Sequence, residues 1–159
     1  MNHSPLRIRK VAVLGAGVMG AQIAAHLVNA DVETILFDLP AREGPKSGIA
    51  IKAIANLGKL SPAPLAETSR ALAITPANYD EHLDLLKGCD LIIEAIAERL
   101  DWKLDLYKKI SPYVSDSAFI ASNTSGLSIN ALAEALPADM RPRFSGIHFF
   151  NPPRYMHLA

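Results

Sequence analysis

The 159 residues are half hydrophobic and 20% charged, which excludes a disordered, collagen-like or simple coiled-coil chain. Sixteen Lys and Arg offset sixteen Asp and Glu, so no net field draws in a polyanion, and neither nucleic acid nor a membrane surface is an expected partner. One cysteine, Cys89, excludes an intrachain disulfide, and no apolar run reaches the roughly 18 residues that would span a bilayer. The first ten residues lack the apolar stretch of a secretory signal, so the expectation is a cytoplasmic protein in a reducing compartment. A chain of this size removes roughly 70% of its unfolded surface from water, enough for one self-sufficient domain over residues 1–159.

Val11 to Leu14 is a short apolar run entering a glycine cluster. Val18 to Asn29 then sets Ile23, His26, Leu27 and Ala30 at three- and four-residue spacing, which predicts strand, tight turn and helix. Asp31 breaks that pattern, and Thr34 to Phe37 is a second β-prone run ending at Asp38, completing a βαβ unit. Leu39 to Ser47, with two prolines and a glycine, is a loop; Ile49 to Leu60 recovers helical spacing until Pro62 and Pro64 stop it. Ala71 to Thr75, Leu91 to Ile96, Ala118 to Ser122 and Phe144 to Phe150 are the expected third to sixth strands. Leu100 to Ile110 is a helix with Leu100, Leu104 and Tyr107 on one face and Trp102, Leu106 and Ile110 beside them. Ser128 is placed to cap a helix running through Ala135. Short buried strands joined by helices predict an α/β fold: a Rossmann-type, doubly wound, mainly parallel sheet in a single three-layer αβα domain. Cys89, between Gly88 and Asp90 at a strand start, reads as a buried spectator.

The segment Gly15-Ala16-Gly17-Val18-Met19-Gly20 fits G-x-G-x-x-G behind a strand and opening a helix. Gly15 permits the tight turn, Gly17 lets backbone N–H groups approach a pyrophosphate, and Gly20 lets the helix lie close to the sheet. Asp38, at the end of the second strand, is suited to accept hydrogen bonds from both hydroxyls of an adenine ribose and to repel a 2′-phosphate, which favours NAD over NADP; Arg42, four residues on, argues the other way. Without the glycines, Asp38 would read as a solvated strand-end carboxylate. No metal site is predicted.

Two features of the second half leave alternatives open on residue chemistry alone. Ser122-Asn123-Thr124-Ser125 follows a strand at the carboxyl edge of the sheet, where such folds bind ligands, yet it equally suits a capping and turn cluster. His148 is either a satisfied structural histidine or a base, with Asn151-Pro152-Pro153 stiffening the chain behind it.

Taken together, Val11 to Asp38, Glu94-Ala95-Ile96-Ala97-Glu98 through Lys103, Ser122 to Ser125, and Gly146-Ile147-His148-Phe149-Phe150-Asn151-Pro152-Pro153 resemble the NAD-binding domain of L-3-hydroxyacyl-CoA dehydrogenases, in the right order over nearly the whole chain. The resemblance implies His148 as catalytic base and Ser125 as the serine touching substrate oxygen and cofactor. It implies cofactor contacts from Gly15, Gly17, Val18, Met19, Gly20, Asp38, Ala95, Ile96, Glu98 and Lys103. It also implies substrate contacts from Asn151 and from a lysine near the acyl-CoA, for which Lys59 is the candidate and Lys52 its rival. On residue type alone, Glu98 and Lys103 read as a surface carboxylate and a solvated lysine.

The Leu39 to Ser47 stretch looks more like the branch fused to an enoyl-CoA hydratase or isomerase. Family members place a glutamate soon after a Met-x-Leu segment to pair with the histidine. Here Met156-His157-Leu158 is followed only by Ala159, so a cut from a longer protein is expected. Cofactor binding with little turnover is then expected, with an acyl-CoA substrate and homodimer contacts belonging to a helical second domain. The alternatives are a sugar-acid dehydrogenase resembling L-gulonate 3-dehydrogenase, and an NAD-responsive interaction module without chemistry.

Overall fold

The computed structural model describes residues 7–157 and 159; the opening residues 1–6 and residue 158, which bear on the expected absence of a signal and on the expected cut, lie outside them. Its centre is a six-stranded sheet of order β3-β2-β1-β4-β5-β6, every pairing parallel. The strands are β1 (Lys10–Leu14), β2 (Glu33–Asp38), β3 (Ile74–Asn78), β4 (Leu91–Glu94), β5 (Phe119–Ser122) and β6 (Phe144–Gly146). The helices are α1 (Val18–Asn29), α2 (Gly48–Leu57), α3 (Leu100–Ile110) and α4 (Ile129–Glu134). The order reverses between β1 and β4, and ligands of open α/β sheets bind at that point beyond the carboxyl ends of the strands.

Side chains alternate across each strand, so one sheet feeds two cores. Ala12, Leu14, Ile35, Phe37, Ile92 and Ile120 pack with Leu106, Tyr107 and Ile110 of α3 and Leu132 of α4. Val11, Val13, Leu36 and Ile93 pack with Ile23, Ala24 and Val28 of α1 and Ala50 and Leu57 of α2. Each fully buried aliphatic side chain contributes about 1.5–3 kcal/mol, which makes these faces the source of the layer order. Among the described residues no helix is long and apolar enough to cross a membrane.

Four elements depart from their expected bounds by two residues or more, each for a local reason. The third strand begins at Ile74, behind a 3-10 segment over Thr68–Ala73, and runs through Pro76, which an edge strand tolerates because one side of its ladder is free. α2 stops at Leu57 before Gly58. β4 stops at Glu94 because the Glu94 carboxylate accepts the Ile96 N–H at 2.8 Å and turns the chain out of the ladder. β6 stops at Gly146: the Phe149 N–H donates to Asn123 Oδ1 at 2.8 Å, so His148 stands in the loop beyond the strand. On α3, Lys103, Leu106, Tyr107 and Ile110 face inward, while Trp102, expected beside the apolar face, is half exposed. Ser128 caps α4 as expected, its hydroxyl accepting the Ala131 N–H. Cys89 is buried, and burial pushes its thiol up to about 11, so it is protonated and inert at neutral pH.

Candidate active site

The glycine turn is built by sterics. Gly15 has a φ of 106°, and a Cβ there would sit 2.8 Å from the Ala95 carbonyl oxygen. A Cβ on Gly20 would lie 1.7 Å from the Gly15 carbonyl oxygen, so the first turn of α1 closes on the loop only without a side chain. Gly17 is different: nothing lies within 4 Å of the position its Cβ would take. That empty space is a cradle at the start of α1, which no side chain caps, so the first N–H groups of the helix and its positive end are free for an anion. The arrangement fits a dinucleotide pyrophosphate.

Asp38 closes the other side of the turn. Its Oδ2 accepts the Ala16 N–H at 2.6 Å and its Oδ1 the Leu39 N–H at 2.7 Å, which fixes the carboxylate and leaves further lone pairs for ligand hydroxyls. A cavity of about 520 Å³ runs from Gly15 and Gly17 past Asp38 to Trp102. A second, of about 570 Å³, shares Gly17, Ala95 and Ile96 with the first and continues past Val18 and Met19 to Ser125 and His148. Glu98 and Asn151 also line it. Each is the size of a small-molecule site, and the two adjoin along those shared residues as the two ends of a cleft.

Lys103, implied as a cofactor contact, is fully buried. Its ammonium donates to Glu94 Oε1 at 2.6 Å and to the Ile96 carbonyl at 3.3 Å, and lies 3.8 Å from Glu98 Oε2. It is neither the solvated lysine that residue type suggested nor a group open to the cleft; it holds the floor of the cleft from beneath. Glu94, also fully buried, completes its hydrogen bonding with Tyr107 Oη at 3.0 Å and Ser122 Oγ at 2.6 Å. Burial first and the Glu94 charge second push the Tyr107 hydroxyl well above its ordinary range, so it stays a donor. One buried carboxylate thus joins the carboxyl ends of β4 and β5 to α3 and fixes the Ala95–Glu98 loop.

Glu98 performs the matching task on the next loop. It accepts hydrogen bonds from the Thr124 hydroxyl, the Ser125 N–H at 3.0 Å and the Gly126 N–H at 2.9 Å. Partial burial works to raise its carboxyl, and the Thr124 and backbone hydrogen bonds, with the Lys103 charge, outweigh it and hold the group below the ordinary glutamate range. Ser125 is left exposed in the cleft. Half-buried His148 packs edge-on against Phe150, ring centres 4.7 Å apart. Asn151 accepts Gln22 Nε2 at 3.3 Å, which ties its segment to α1. Arg154 donates to the Ala63 and Leu65 carbonyls at 2.9 and 2.7 Å, and Tyr155 to Ala63 at 2.8 Å, clamping the same segment to the loop after α2.

Of the residues to which the resemblance gives a cofactor, substrate or catalytic role, all but Lys103, Gly20, Lys59 and its rival Lys52 line the cleft; Gly20 packs behind the turn. Lys59 lines neither cavity, and its ammonium lies 3.4 Å from Asn56 Oδ1; Lys52 is exposed on α2. Glu94, Asn123, Tyr107 and Arg154 were not assigned roles from the sequence. One signal pointed to Glu94: a carboxylate closing the apolar run Leu91-Ile92-Ile93 requires a buried partner.

The family model described as the NAD-binding domain of 3-hydroxyacyl-CoA dehydrogenase matches residues 10–159. A Rickettsia felis protein named for the trifunctional enzyme of the fatty acid oxidation complex is 45% identical over 152 residues, covering 95% of this chain and 21% of its own. A Deinococcus radiodurans protein named as a 3-hydroxyacyl-CoA dehydrogenase is 42% identical over 154 residues, 96% of this chain and 44% of its own. Among solved structures, 3-hydroxybutyryl-CoA dehydrogenase from Escherichia coli K12 matches with a TM-score of 0.75 and 30% identity, over 95% of this chain and 31% of that one. The chain therefore spans less than half the length of these relatives.

Proposed function

The chain belongs to the family of 3-hydroxyacyl-CoA dehydrogenase NAD-binding domains, and from that premise we propose that it is the cofactor-holding part of an enzyme that oxidises an L-3-hydroxyacyl-CoA to the 3-oxoacyl-CoA in fatty-acid oxidation. The observation that carries the reading is a pair of adjoining cavities that share the Gly17 cradle, one lined by Asp38 and the other by Ser125 and His148.

In this reading the open N-terminus of α1 holds the pyrophosphate and Asp38 accepts the adenine-ribose hydroxyls. When bound, NAD supplies the acceptor for the hydride that leaves the substrate carbon. His148 takes the hydroxyl proton as that hydride departs, so the C–O single bond becomes a carbonyl. The Ser125 hydroxyl donates to the same oxygen, and Asn151 borders the substrate. Glu98 orients the Ser125 loop, and Lys103 acts through Glu94 and the Ala95–Glu98 loop. Lys59 enters the proposal only as an exposed cation, outside both cavities, for the acyl-CoA. The relatives' further length is where the proposal assigns the rest of the acyl pocket and the homodimer contacts.

The test is His148→Ala in the complete enzyme with a short L-3-hydroxyacyl-CoA. Turnover is expected to fall about 10²–10⁴-fold while NADH affinity stays within about twofold. Retained turnover would make His148 a structural residue.

A further inference from the structure

One stripe of α3 has no part in that reading. Trp102, Asp105, Leu106 and Lys109 recur at three- and four-residue spacing, and all four line the cavity that passes Asp38. Trp102 is the protein's only tryptophan and is 50% exposed, an unusual position for the largest apolar side chain. The Arg99 guanidinium lies 4.4 Å over its ring, and Asp101 holds that guanidinium through bonds of 3.2 and 2.8 Å. The indole is thereby fixed as a wall of the cavity.

Leu39, Ile96 and Leu106 supply further apolar lining, and Tyr79 lines the same cavity with a buried hydroxyl that has no hydrogen-bond partner among the described residues. Lys109 is engaged by Asp80 at 3.4 Å. Asp105 is exposed, and its carboxylate makes no hydrogen bond or ion pair among the described residues. A largely apolar slot in which Asp105 is the exposed unpaired carboxylate, next to a carboxylate placed for a ribose, suits a flat base that carries a hydrogen-bond donor.

We propose that α3 selects the base of the dinucleotide: Trp102 packs against the ring, and Asp105 accepts a hydrogen bond from the 6-amino group of adenine. The proposal rests on the NAD reading above and adds base selection to it. A base with a carbonyl at that position sets two acceptors face to face and leaves the carboxylate without its donor, so it is disfavoured.

The test titrates the 159-residue chain with NADH and, in parallel, with reduced nicotinamide hypoxanthine dinucleotide, in which a carbonyl replaces the 6-amino group. NADH is expected to bind about tenfold tighter and to quench Trp102 emission with the same midpoint. Asp105→Asn, whose amide can donate to the carbonyl, is expected to bring the two affinities within about twofold. Trp102→Leu is expected to weaken both dinucleotides about tenfold. Thermal melts show whether these exposed substitutions leave the fold intact. Equal affinities in the parent chain, a preference unchanged in Asp105→Asn, or NADH binding without tryptophan quenching would each overturn the proposal. NADH binding without base preference defeats base selection alone, whereas binding of neither dinucleotide defeats the NAD reading with it.

Discussion

The two halves of the cleft are built by different means. Around the glycine turn, backbone sterics decide: Gly15 and Gly20 exist because a Cβ would strike main-chain atoms, and Asp38 is held by two main-chain N–H groups. Around Ser125 and His148, side chains decide: Glu94, Glu98 and Asn123 each reach across from one chain segment to fix another. A steric constraint is local and tolerates no substitute. A side-chain network is distributed, and loosening it changes affinity before it changes the fold.

The largest contrast lies between two glycines three residues apart. Gly20→Val forces a side chain onto the Gly15 carbonyl and is expected to cost about 3 kcal/mol or more, read in a denaturant melt. Gly17→Val meets open space and backbone angles that valine accepts, so the melt is expected to be unchanged while NADH affinity falls at least about 100-fold. Equal effects of the two on stability would erase the distinction between packing glycine and cradle glycine.

In the network half, Lys103→Met strands the fully buried Glu94 carboxylate and is expected to cost about 3–5 kcal/mol. The double replacement Glu94→Met with Lys103→Met removes both charges and is expected to recover most of that stability. The Ala95–Glu98 loop then loses its Ile96 anchor, so NADH affinity is expected to fall about tenfold in a well-folded protein. An unchanged affinity in the double variant would reduce the pair to packing.

This contrast also explains what the sequence revealed. The glycine turn, Asp38 and the helices Val18–Asn29 and Leu100–Ile110 were legible because steric demand and apolar spacing are written in adjacent residues. Lys103 was not, because its burial depends on Glu94, nine residues away, which residue type alone does not pair with it. The strand ends at Glu94 and Gly146 were overrun for the same reason: the acceptors that draw the chain off the ladder are the side chains of Glu94 and Asn123. Trp102 was misread because spacing cannot distinguish a core face from a cavity wall.

A smaller effect follows from pH. The Glu98 carboxyl titrates below its ordinary range in the folded protein, so its contribution is fully present above the ordinary glutamate value and is lost as pH falls through the lowered one. The Ser125 loop is therefore expected to loosen only in acid, seen as NADH affinity falling towards low pH. Glu98→Gln is expected to flatten that dependence, and an acid limb identical in the variant would assign it elsewhere.

The most direct test of the account is a fluorescence titration of the 159-residue chain with NADH and NADPH, repeated on Asp38→Asn. Saturable NADH binding, at least about tenfold tighter than NADPH and with the gap narrowed in the variant, is the predicted result. Equal binding of the two cofactors, or a gap that survives in Asp38→Asn, would contradict the role of Asp38, and binding of neither would contradict the assignment of the cleft.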